Sequence, residues 1–166
     1  KLLEKAVSLD FNDLNKLLVY GQALNINGDY DLANKQFDAI LEIDRNHQGA
    51  KEGKVEVLFS QNKFEDALDQ VKKVLIQDLN NPLAHHLMAG TLAKLNRLEE
   101  AVDAEKKAIK IDPKFLDGFI ALGSLYSDLG KYREAINAYN RALRHSPELA
   151  ELYLMRGNAY SQLENY

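Results

Sequence analysis

Apolar residues along the chain follow helical spacing, and the stripe stops and restarts at regular intervals. Phe119, Leu122, Gly123, Tyr126 and Leu129 stand at i, i+3, i+4, i+7 and i+10, the spacing of one face of an amphipathic helix. After Gly130 a second stripe begins, carried by Tyr132, Ala135, Ile136, Tyr139, Ala142 and Leu143. Ser146 and Pro147 then supply a stop, because proline lacks the N–H that a helix interior needs. The pattern predicts a unit of helix, tight turn, helix and stop.

The unit recurs. Ala33, Ala67, Ala101 and Ala135 are each 34 residues apart. Five residues before each alanine stands Gly28, Asn62, Asn96 or Gly130, the residue types that tolerate the left-handed conformation closing a helix. Three before each stands a large apolar residue: Tyr30, Phe64, Leu98 or Tyr132. Asp44, Asp78, Asp112 and Ser146 follow at the same interval, with Pro113 and Pro147 next in two copies. A fixed period of this length is the signature of a stacked-repeat architecture. Small residues such as Gly123 and Ala135 are expected where the two helices of a unit approach most closely.

With these residues in place, the chain resembles the tetratricopeptide repeat family. The stretch FIALGSLYSDLGKYREAINAYNRALRHSP, Phe119 to Pro147, carries the family's succession of aromatic, Leu-Gly, Tyr, Ala, aromatic and Pro. The resemblance covers the chain as a single domain over 1–166, with full repeats at 14–47, 48–81, 82–115 and 116–149. Residues 1–13 match the tail of a preceding second helix, Ala6 and Val7 being in phase with Ala142 and Leu143. Residues 150–166 match a first helix through Tyr153, Gly157, Tyr160 and Tyr166. The fold it implies is all-α, a right-handed α-α superhelix: a solenoid of antiparallel helix pairs. Two departures stand out. Lys51, Lys54 and Val55 occupy places where the family prefers a large apolar, a leucine-like and a small residue, so that helix is expected to pack less closely. Glu105 replaces the aromatic seen as Phe37 and Tyr139, and a carboxylate there must reach solvent or a partner, since burying it unpaired is costly.

Composition narrows the function classes. The net charge of −4 lacks the basic surface a nucleic-acid binder needs. There are no cysteines, which removes disulfides, thiolate metal sites and cysteine nucleophiles. That absence suits a cytoplasmic chain slightly better than a periplasmic one and leaves location open. No apolar run reaches membrane-spanning length. The chain begins with Lys1 and is expected to be a piece of a longer protein. Fragments of chemical motifs fail on inspection. Gly49, Gly53 and Lys54 are too closely spaced for a phosphate-binding loop and lack its preceding strand. A calcium loop opening at Asp44 would need a carboxylate where Val55 stands. Neither a catalytic residue nor a metal ligand nor a cofactor is assigned.

The resemblance implies that first helices line a concave groove for a partner. Its positions would be Asn15, Leu18, Gln22 and Asn25; then Glu52, Glu56 and Phe59; then His86; then Ile120 and Ser124; and finally Leu154 and Asn158. Family members that grip an acidic chaperone tail use lysine, arginine and asparagine at defined groove positions. Here those positions hold Leu18, Gln22, Gly53, Leu83 and Leu87, and shifting the frame by one or two repeats brings in no lysine or arginine. An acidic tail is therefore disfavoured, because a carboxylate needs charged donors. The expected function is a protein–protein interaction scaffold for a peptide or helix with apolar anchors and a basic residue near Glu52 and Glu56. The alternative is a regulatory or substrate-docking segment of a larger enzyme or envelope-assembly factor. The stripe Tyr153, Tyr160 and Leu163 lacks a covering second helix, which implies either further repeats or self-association through that face.

The adjacent histidines of NPLAHHLMAG divide by the same frame. Asn81 is expected to cap a helix with Pro82 at its first position. Neighbouring helix residues point about 100° apart, so His85 and His86 cannot share one site. His85 takes the packing place of Leu17 and Phe119, and His86 faces the groove. A lone imidazole is a poor metal site.

Overall fold

In the computed structural model, which describes residues 14–164, the chain is helical wherever the apolar stripes run. Residues 1–13, matched above to the tail of a preceding repeat, and Tyr166 lie outside the described residues. Nine helices and no strand occur among the described residues: α1 Leu14–Asn27, α2 Tyr30–Ile43, α3 Gln48–Ser60, α4 Phe64–Gln77, α5 Pro82–Lys94, α6 Leu98–Ile111, α7 Leu116–Asp128, α8 Tyr132–His145 and α9 Ala150–Glu164. The fold class is all-α, built from repeated helix pairs. Two compact units divide the chain, one ending at Gln70 and the other starting at Val71.

The same devices close each pair. Gly28, Asn62, Asn96 and Gly130 all have positive φ, at 86°, 59°, 59° and 70°. That conformation lets the next N–H turn back onto the helix: Asp29 donates to the Leu24 carbonyl, Lys63 to Leu58, Arg97 to Leu92 and Lys131 to Tyr126, at 2.8–2.9 Å. This is the six-to-one bond of the Schellman ending. Between pairs, the aspartates do local work. Asp44, Asp78 and Asp112 each accept from the N–H two residues on, at Asn46, Asn80 and Lys114, over 2.9–3.0 Å. Such Asx turns offer the backbone an alternative to another helical turn. Asn81 then caps α5 by accepting from the Ala84 N–H at 2.9 Å, with Pro82 in the first turn, as the sequence predicts.

In the unit ending at Gln70, α1 packs on α2 and α3, and α2 on α3. Its core is Leu24, Ala33, Phe37, Ile40, Ala50 and Val57. The Phe37 ring, fully buried, lies where a side chain at Gly21 would stand: a Cβ there would be 2.6 Å from the ring. Val55, at the α3 position where a small residue is expected, is also completely buried. In the unit starting at Val71, α5 pairs with α6, α7 with α8, and α6 and α8 also pack on α7 and α9 respectively. Tyr139 of α8 seats on Gly123 of α7, whose Cβ would come within 2.7 Å of ring atom Cδ1. The close approach expected at Gly123 is therefore made by an aromatic ring.

Candidate functional site

On α1, Asn15 is exposed, while Leu18 and Gln22 are half-buried. Leu18 leans on the Phe37 core. Asn25 is buried, and its Oδ1 has no hydrogen-bond partner among the described residues. On α3, Glu52 is buried and Glu56 half-buried one turn later. Burial, reinforced by the charge of Glu52, holds the Glu56 carboxyl above the usual range. Phe59 is half-buried and meets Phe64 edge-on, centroids 5.4 Å apart. This face combines apolar surface with two carboxylates drawn away from water.

The unit starting at Val71 presents its own face. Ile120 and Ser124 of α7 are half-buried. The Ser124 hydroxyl donates to the Ile120 carbonyl at 3.2 Å and lies 3.4 Å from the Tyr139 hydroxyl. Leu154 and Asn158 of α9 are exposed, Leu154 at 66%. Tyr153 and Tyr160 of the same helix are also half exposed. Arg156 donates to the Asn140 side chain at 2.6 Å and its guanidinium lies 5.2 Å from the Tyr153 ring centroid.

The histidines separate as their helical phase requires. His85 is buried and its Nε2 lies 3.0 Å from the Leu79 carbonyl. His86 points elsewhere. Its Nδ1 lies 3.0 and 3.1 Å from the two carboxylate oxygens of Glu105, and its ring stands perpendicular to Phe115 at 5.2 Å. Glu105 is entirely inaccessible to solvent. Of the two outcomes open to this carboxylate, solvent or a partner, the second is realised, and the partner is within the chain. In the repeat frame His86 and Glu105 stand on different helices with no stated link. The signal that links them was present: a carboxylate in a ring's place on α6 demands a donor, and His86 is an ionisable residue on the paired helix.

No group of three or more histidine, aspartate or glutamate side chains among the described residues could hold a metal ion. No helix among them is long and apolar enough to cross a membrane.

Comparison with known proteins bears on the repeats and the fold. Two tetratricopeptide repeat family models match residues 24–91 and 83–115, and a third, described as a TPR repeat, matches 123–163. No curated protein sequence matches the chain. A thermophilic TPR protein of Thermus thermophilus superposes with a TM-score of 0.82 at 19% identity, covering 96% of this chain and 87% of that one. The MamA protein gives 0.72 at 22% identity, covering 91% and 82%. The first TPR of Spaghetti bound to the HSP90 peptide SRMEEVD gives 0.67 at 21% identity, covering 70% and 93%. At these identities the likeness concerns the fold.

Proposed function

We propose that this chain, which belongs to the tetratricopeptide repeat family, is a non-catalytic interaction module that holds a peptide or helix of a protein partner on the faces of its first helices. None of the families that match is catalytic. Stacked helix pairs present extended surfaces of this kind, and one neighbour of the same fold has a peptide bound.

The observation that carries the reading is the α1–α3 face. Glu52 and Glu56 are one turn apart, both partly or wholly withdrawn from water, and Glu56 is held above its usual range by burial and by Glu52. A basic side chain placed between them relieves that repulsion, while Leu18 and Phe59 offer apolar contact. The partner is therefore a segment with apolar anchors and a lysine or arginine, opposite in charge to the acidic SRMEEVD peptide of the neighbour.

Fluorescence anisotropy with labelled peptides tests this. A peptide with apolar anchors and a central arginine is expected to bind, and Glu52→Lys/Glu56→Lys to weaken it at least about tenfold, or about 1.4 kcal/mol. Because the Glu56 carboxyl titrates above its usual range, it loses its charge early as pH falls, and affinity falls with it. Unchanged affinity in the double variant, or preference for the acidic peptide, overturns the assignment.

A further inference from the structure

Glu105 is a charge in an aromatic's place. Its equivalents one repeat on and two repeats back, Tyr139 and Phe37, bury rings against Gly123 and Gly21. In this pair the first-helix position is Ala89, itself fully buried. The carboxylate is closed in from three helices. His86 of α5 meets both oxygens, α6 carries it, and α7 shuts it from beyond at Gly118, where a Cβ would come within 3.0 Å of Oε1 and of Ile109. Among the described residues, its hydrogen bonds come from His86 Nδ1 alone. The imidazole, by contrast, keeps a route to water, its side chain being 27% exposed.

A carboxylate sealed in this way is costly unless a positive charge compensates it. We propose that His86 and Glu105 form a proton-operated latch, in which protonated His86 neutralises the sealed carboxylate and holds α5, α6 and α7 together, and loss of that proton loosens them. The proton leaves from Nε2. Nδ1–H goes on donating to the carboxylate, so compensation is lost while the hydrogen bond remains. The other ionisable groups acting on the pair are Asp117 at the start of α7 and His85 on α5. Asp117 favours the protonated form of both latch residues, and His85 favours ionised Glu105.

The direction of the pH dependence follows. Burial lowers the affinity of His86 for its proton, but the hydrogen bond and charge of Glu105, helped by Asp117, outweigh it and raise the pKa above 6.5. Burial raises Glu105 above 4.5 against the opposing pull of His86. A group whose folded pKa exceeds its unfolded one contributes stability that is complete below the unfolded value and is lost as pH rises through the folded value. For His86 that loss begins near 6.5 and continues above it. Glu105 acts in the same sense from 4.5 upward. Both make these helices firmer in mild acid, the reverse of the loss that paired carboxylates of lowered pKa cause on acidification.

Thermal unfolding of the chain and of Glu105→Gln at about pH 5.5 and about pH 8, with NMR titration of the histidine rings, tests the latch. The His86 resonance is identified by its absence in His86→Gln. The wild type is expected to lose roughly 3–5 °C more in Tm over this range than Glu105→Gln, and His86 to titrate above 6.5 only when Glu105 is present. Parallel pH profiles in the two proteins overturn the proposal. So does a wild-type His86 titrating at or below 6.5, a result that does not depend on Glu105→Gln keeping its fold.

Discussion

The pairs α5–α6 and α7–α8 share one backbone plan and fill it by different means. In α7–α8 a glycine, Gly123, receives the Tyr139 ring, and Ile120 stands beside Ser124 on the same helix. In α5–α6 the matching residues are Ala89, Glu105 and His86. The first-helix position gains a methyl group while its second-helix neighbour shrinks from tyrosine to glutamate, and the chemistry changes from aromatic to ionic. The apolar version stabilises through area removed from water. The ionic version recovers at best what desolvation costs.

The largest difference should appear on truncation. Tyr139→Ala removes a ring that is 3% exposed, and a loss of about 3–5 kcal/mol is expected. Glu105→Ala also opens a cavity, but it removes a buried charge together with its desolvation cost and leaves His86 able to reach water, so a smaller loss of about 1–2 kcal/mol is expected. Urea unfolding at neutral pH measures both. Equal losses would mean that the ionic pair is as stabilising as the ring, and the contrast would fail. A smaller effect lies on the opposing helix. Gly123→Ala puts a methyl group into the Tyr139 ring and should cost about 1–3 kcal/mol. Ala89→Gly loses only helix propensity and a little packing, about 1 kcal/mol.

Much of this was legible in the sequence because it depends on period and local chemistry. The four left-handed turn residues recur at one offset in every repeat, and the Asn81 cap and the close approach at Gly123 follow from residue types read locally. The His86–Glu105 contact does not recur. It joins residues 19 positions apart and occurs in one repeat only, so periodicity says nothing of it; it had to be found from where a buried charge sends its hydrogen bonds. The candidate partner face shows a different limit. The repeat frame assigns Asn25 and Glu52 to a face, but their depth depends on neighbouring side chains, and both are buried.

The smallest contrast concerns the turns. Asn96 and Gly130 occupy the same left-handed position, at φ 59° and 70°. A Cβ at Gly130 would meet nothing within 4 Å, so exchange of these residues tests backbone conformation without packing. Left-handed φ costs an ordinary L-residue about 1–2 kcal/mol, and asparagine less because its short side chain bonds locally. Asn96→Gly is therefore expected to stabilise by a few tenths of a kcal/mol, offset by the greater freedom glycine has when unfolded. Gly130→Asn should destabilise by a similar few tenths, and Gly130→Val by more than about 1 kcal/mol, since a branched side chain has no such bond. Urea midpoints at unchanged m-value report these differences. If Asn96→Gly and Gly130→Asn both destabilise by more than about 1 kcal/mol, the two turns are not interchangeable. The ionic pair and the aromatic pair would then differ in their connections as well as in their cores.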